Sequence, residues 1–163
     1  MELKQGRQLK EFNNIYREYD RIYHEIARHL GLSDSAFLIL YAVTELGDGC
    51  LQKDIALSYS TSKQTIHSAV RNLEAGGYLN LRRGKRRDMH IYLTPAGRKL
   101  AQEKIGPVLE LENSMFRELT GEEGEQLLKL TRKYVTLFRK KADRFYGLSG
   151  AADAPQEAEN RLL

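Results

Sequence analysis

One change of period constrains this fold more than anything else in the chain. Along most of its length apolar residues recur at steps of three and four. Between Tyr78 and Leu93 they alternate instead: Tyr78, Leu79, Asn80 and Leu81, a polar tip, then Met89, His90, Ile91, Tyr92 and Leu93. Alternate residues of an extended strand face the same side, so a period of two on both sides of a glycine-containing turn predicts a β-hairpin. Its tip carries Arg82, Arg83, Lys85, Arg86 and Arg87, broken only by Gly84. Just before the hairpin, Gly76-Gly77 supplies a left-handed stop to a helix. Just after it, Thr94-Pro95 restarts helix, with threonine at the N-cap and proline at the first helical position, where its missing N–H costs nothing.

Helical periodicity fills the rest. Ile15, Tyr16, Tyr19, Ile22, Tyr23, Ile26, Ala27 and Leu30 predict a long amphipathic helix over 8–30, stopped by Gly31. Ser33 can cap a second helix with Phe37, Leu38, Leu40, Tyr41 and Val43 inward, which Gly47-Asp48-Gly49 ends. A short helix fits 52–58, with Ile55 and Ala56 inward. After a polar break a further helix starts at Thr61, which with Gln64 has the form of a capping box, and Ile66, Val70 and Leu73 are its apolar stripe. The helix begun at Pro95 should reach about Leu119, kinked or split at Gly106-Pro107. Thr120 and Glu123 form a second capping box, followed by Leu127, Leu130, Tyr134, Val135, Leu137 and Phe138 on a last helix toward Phe145. The stretch 147–163 is net acidic, has no apolar stripe and is expected to be disordered.

With 163 residues, 41% apolar and 29% charged, the chain suits one globular folding unit. No run approaches the ~18 consecutive apolar residues of a membrane span, and no apolar segment follows the charges of the N-terminus. Cys50 is the only cysteine, which excludes an intramolecular disulfide and a cysteine-rich zinc site; a cytoplasmic protein is expected. His24 and His29 fall on different faces of one helix, so neither metal nor cofactor is anticipated. The chain contains no G-x-x-x-x-G-K, H-E-x-x-H or G-x-S-x-G, which argues against an enzyme.

Two short helices, a tight turn, a hairpin with a basic tip and a following helix compose a winged helix-turn-helix, and the expected class is mainly α with a small β-hairpin. In such a unit the second short helix enters the major groove of DNA. Ser62, Lys63, Gln64, Thr65, His67, Ser68 and Arg71 lie off its apolar stripe, and no acid occurs in it before Glu74. Gln64 can pair with an adenine edge or fold back into the cap, and Arg71 can read guanine or hold phosphate. In the wing, Arg86 or Arg87 would enter a minor groove while Arg83, Lys85 and the other cations meet phosphates. The competing reading is a protein-interaction module, which leaves the wing's cations without a purpose.

These residues resemble the MarR family of bacterial regulators. Leu51-Gln52-Lys53-Asp54-Ile55-Ala56, Ser62-Lys63-Gln64-Thr65-Ile66 and Val70-Arg71-Asn72-Leu73-Glu74-Ala75-Gly76-Gly77-Tyr78 look like its two-helix unit, and Ile91-Tyr92-Leu93-Thr94-Pro95-Ala96-Gly97 like the end of its wing. The resemblance implies a dimerising helix in 1–32, a DNA-binding lobe in 33–97 and dimerising helices in 98–146. It also implies a homodimer on a pseudo-palindromic operator; so wide a dimer on a promoter would block polymerase by occupancy, so repression is expected, with activation the alternative. A small lipophilic or phenolic effector would lie in a cleft lined by Tyr23, Phe37 and Tyr41, with Tyr16 and Tyr19 nearby. Two departures stand out. The family's wing usually carries an aspartate two residues before its minor-groove arginine; here that position holds Lys85 ahead of Arg87, leaving Asp88 as the available substitute. Nor is there a cysteine in the first helix for oxidant sensing, and Cys50 reads as a small inert hydrophobe.

Overall fold

A computed structural model describes residues 4–84 and 88–148. The elements run α1 (Arg7–His29), α2 (Asp34–Leu46), β1 (Cys50–Leu51), α3 (Gln52–Ser58), α4 (Lys63–Ala75), β2 (Leu79–Arg83), β3 (Met89–Leu93), α5 (Pro95–Lys104), α6 (Gly106–Glu118) and α7 (Gly121–Tyr146). Contacts divide the chain into two compact units, with the boundary inside α6 between Leu111 and Glu112. Among the described residues no single helix is long and apolar enough to cross a membrane. Of the expected disordered tail, only Gly147 and Leu148 lie within the described residues.

The first unit is built around α2. Phe37, Ile39, Leu40, Ala42 and Val43 are buried on it, against Ile55 of α3 and Ile66, Ala69, Val70 and Leu73 of α4. Ala27, Leu79, Ile91, Ile105 and Val108 complete the core. The inward face of α2 is thus wider than its periodicity suggested. Ile39 and Ala42 are fully buried, whereas Leu38 and Tyr41 are half-buried, because α1 and α4 pack on different sides of the same helix. A helix apolar over most of its circumference belongs in the middle of its neighbours.

The hairpin forms as its alternation requires. β2 and β3 pair antiparallel, from Leu79 opposite Leu93 to Arg83 opposite Met89, and β1 adds a third strand on the far side of β3, Cys50 opposite Ile91. Leu79 and Ile91 point into the core while Asn80, Arg82 and Met89 stay exposed.

The join between hairpin and α5 is tight. The Thr94 hydroxyl donates to the Gly77 carbonyl at 2.7 Å, the Thr94 N–H donates to the Tyr78 carbonyl at 3.0 Å, and the same hydroxyl accepts the N–H of Gly97 at 2.9 Å. Asp48 locks the other side, accepting the Leu93 N–H at 2.8 Å and pairing with Arg98.

The helix begun at Pro95 is two helices. Pro107 has no N–H to give to the carbonyl of Glu103, so the backbone turns at Ile105 and resumes with the N–H groups of Val108 and Leu109 both on the Ile105 carbonyl. In the second unit Thr120 and Glu123 form the expected capping box, each side chain accepting from the other's backbone N–H.

Candidate nucleic-acid interface

The start of α4 differs from its sequence expectation. Ser62, not Thr61, is the N-cap: its hydroxyl accepts the Thr65 N–H at 3.0 Å and lies 2.7 Å from the Thr65 hydroxyl. The Thr61 hydroxyl instead donates to the Tyr59 carbonyl. The Thr61–Gln64 capping box is therefore absent. A β-region residue is needed immediately before the first helical turn, and the conformation of the preceding turn puts Ser62 there.

That turn is made by Ser60, the one described non-glycine residue with positive φ, at 48°. The N–H of Thr61 reaches the Ala56 carbonyl and that of Ser60 the Leu57 carbonyl, a Schellman closure of α3 carried by serine where glycine is usual. It fixes the angle at which α4 leaves α3. At the far end Gly77, φ 78°, closes α4 in the same manner.

Gln64 is consequently released from capping. With 100° per residue, Gln64, His67, Ser68 and Arg71 fall on one face of α4, flanked by Lys63 and Thr65, and opposite buried Ile66, Ala69, Val70 and Leu73. All seven residues expected to face DNA are exposed. Three of them have partners: Ser62 and Thr65 are tied to each other, and Arg71 pairs with Glu74 at 3.2 Å. An exposed pair one turn apart contributes at most about 1 kcal/mol, so a phosphate can take Arg71 from Glu74. The apolar face locks the helix while the polar face, without an acid before Glu74, remains open to a polyanion.

In the wing, Arg82 and Arg83 are both exposed on β2; Arg82 lies over the Tyr92 ring, 4.8 Å from its centre, which orients its guanidinium. Lys85, Arg86 and Arg87 lie outside the described residues. Asp88, the substitute carboxylate for Arg87, faces Lys53 of α3 at 3.7 Å, and its carbonyl accepts the Gly84 N–H. His90 places Nδ1 2.7 Å from the Gly49 carbonyl oxygen. These contacts root the wing on β1 and α3, and were not legible in advance because they join residues far apart in sequence.

Beside α4 lies a cleft of about 730 Å³ in the first unit. Tyr23, Phe37 and Tyr41 line it, together with Tyr19, Tyr59 and Thr65, whereas Tyr16 does not. Tyr59 had no sequence signal, because only the Ser60 turn brings the end of α3 to α2. Cys50 is half-buried in the sheet, and burial, followed by the nearby carboxylate of Asp54, raises its pKa to about 11. Among the described residues no group of three or more His, Cys, Asp and Glu could hold a metal ion.

A core-anchored helix with an open polar face, a turn from the preceding helix and an arginine-bearing hairpin define a winged helix-turn-helix protein. Residues 30–87 match the profile of the MarR family. A search of curated protein sequences finds no match. Among solved structures, the chain is similar to a MarR family regulator from Neisseria meningitidis, with TM-score 0.73 and 19% identity over 85% of this chain and 99% of that one. It is similar also to the transcriptional regulator BldR from Sulfolobus solfataricus, with TM-score 0.61 and 28% identity over 79% and 94%. A third is BpsR of Bordetella bronchiseptica, whose DNA binding is regulated by 6-hydroxynicotinic acid, with TM-score 0.60 and 22% identity over 77% and 98%. Residues 30–87 thus carry the MarR family's profile, and most of the chain shares the fold of MarR family regulators.

Proposed function

We propose that the chain acts as a homodimer that represses transcription by occupying a pseudo-palindromic operator. The two α4 helices enter successive major grooves, and the two wings reach the flanking minor grooves. The exposed polar face of α4, without an acid before Glu74, together with Arg82 and Arg83 of the wing, carries this reading. Gln64 and Arg71 are the base-reading candidates; Lys63, His67, Ser68 and Arg83 position the helix on phosphates, and Lys85, Arg86 and Arg87 extend the basic tip. Residues 1–32 and 98–146 supply the dimer contacts. A small aromatic effector in the cleft along Tyr23, Phe37 and Tyr41 releases DNA by favouring a different spacing of the two α4 helices, since only differential affinity shifts such an equilibrium. The effector dependence of BpsR supports this part of the reading.

The test is a gel-shift titration against the DNA upstream of the protein's own gene, with random duplex as competitor at two salt concentrations. A discrete complex should survive the competitor, with affinity falling by about 0.9 log units per log unit of salt for each phosphate neutralised. Gln64→Ala and Arg87→Ala should each weaken operator binding by about 1–3 kcal/mol. Loss of every complex to competitor or salt would sink the proposal and leave a protein-interaction module.

A further inference from the structure

The chemistry of the cleft says more about its occupant than its size does. Five aromatic rings run through it in succession, in T-shaped and tilted contacts. Tyr19 and Tyr23 have centroids 5.1 Å apart, Tyr23 and Phe37 6.3 Å, Phe37 and Tyr41 6.0 Å, and Tyr41 and Tyr59 6.4 Å. The aromatic wall therefore runs from α1, through α2, to the cap of α3.

Three carboxylates share that wall, Asp20, Asp34 and Glu45, with no lysine or arginine among the lining residues. Asp34 is held by His24 Nδ1 at 2.9 Å, and Glu45 accepts from the Tyr59 hydroxyl. Asp20 has no hydrogen bond or ion pair among the described residues. Beside Asp20 in sequence, Arg17 pairs with Asn14 and Arg21 with Glu18. The wall is thus net negative whether or not His24 carries a proton.

The geometry points to an organic cation with aromatic or other apolar groups, rather than an anionic aromatic acid, as the occupant of this cleft. Ring faces carry negative quadrupole potential and attract cations, and carboxylates at the rim add to it while repelling an anion. The inference rests on the effector reading above and gives it a ligand class. It also supplies a coupling. A cation beside Glu45 competes with the Tyr59 hydroxyl, and Tyr59 directly precedes the Ser60 turn that aims α4.

Two ions of the same shape and opposite charge, tetraphenylphosphonium and tetraphenylborate, test the charge preference. Each is titrated into the DNA-free full chain and followed by calorimetry and by tyrosine fluorescence, which no tryptophan obscures. The phosphonium should bind saturably and the borate at least about tenfold more weakly. Asp20→Asn with Glu45→Gln keeps shape and hydrogen bonding, and should weaken the phosphonium about tenfold without weakening the borate. Equal binding of the two ions, tighter binding of the borate, binding of neither, or a phosphonium affinity unchanged in a folded double variant would overturn the inference. The comparison of ions on the unmodified chain stands if the variant fails to fold. Charge-selective phosphonium binding that leaves the operator complex intact would keep the cation site and remove the effector reading. A neutral phenol that binds and releases DNA while the phosphonium does not would do the reverse.

Discussion

Helices α4 and α7 start alike and end differently. Each opens on a hydroxyl cap, Ser62 or Thr120, and each carries an apolar stripe at helical spacing. On α4 the stripe is buried to the last residue. On α7, 26 residues long, no residue is buried: Leu130 is 63% exposed and Phe138 67%. The stripe on α4 meets α2 and α3 of its own chain, whereas that on α7 is left open in the single chain. Periodicity specifies which face wants cover but not who provides it. Each such side chain stands to gain about 1.5–3 kcal/mol on burial, so a face of this length favours association with a second copy.

The contrast breaks most completely in the first unit. A Cβ added to Gly97 would lie 1.9 Å from the Tyr78 carbonyl oxygen, where backbone meets backbone and neither can yield cheaply. Gly97→Ala should cost more than about 4 kcal/mol, seen as a collapse of the urea midpoint and loss of protected amides in α4 and the sheet. A change below about 1 kcal/mol would mean that the α5 junction is looser than its hydrogen bonds imply.

The second unit should respond through association instead. Leu130→Asp with Phe138→Asp puts charge on the open stripe without touching the first unit's core. For the proposed homodimer, sedimentation should shift from dimer to monomer, and operator affinity should fall by at least about a hundredfold as one half-site is lost from the bound unit. A double variant that remains dimeric would move the dimer contact off α7.

Much of this division was legible in the sequence. The hairpin announced itself by period, α7 by its capping box, and the break at Pro107 by a missing donor. The features that local pattern does not carry are set by contacts across the chain. The cap of α4 moved from Thr61 to Ser62 because Ser60 took a left-handed conformation, which its side chain does not advertise. Asp48 reaches Leu93 and Arg98, and Lys53 reaches Asp88, over separations that local pattern cannot span. Ile39 and Ala42 lie outside the stripe that helical spacing predicts because α2 is covered from more than one side. The polar residues of α4 were easier to find, since exposure needs only the absence of a partner stripe.

Cys50 offers a finer probe of the sheet that roots the wing. Burial, then Asp54, raises its pKa from 9.0 to about 11, so the folded state keeps the thiol protonated where an unfolded chain would begin to ionise. At pH 8 its thiolate fraction should be about a hundredfold below that of the denatured chain, and alkylation by iodoacetamide slower by about that factor. The same shift makes Cys50's contribution to stability full below pH 9 and lost as pH rises through about 11. Fast alkylation of the folded chain would show that β1 opens readily from β3.

The two caps give the smallest effect and the sharpest form of the comparison. Ser62→Ala and Thr120→Ala each leave an N–H of the first helical turn without its acceptor, and each should cost about 1 kcal/mol. In α4 that cost enters the melting of the first unit directly, because the helix is part of its core. In α7 it should appear in the dimer's melting but vanish from the first unit's melting in the Leu130→Asp, Phe138→Asp monomer, where α7 has no cover to lose. Acid tests the same cap. The Thr120 backbone N–H, then its hydroxyl, hold Glu123 below its ordinary carboxylate pKa, so its contribution is full above about pH 4.5 and lost as pH falls through the lowered value. If Thr120→Ala lowered the monomer's first-unit melting as much as the dimer's, α7 would be coupled to that core within one chain, and its open stripe would no longer argue for a second copy.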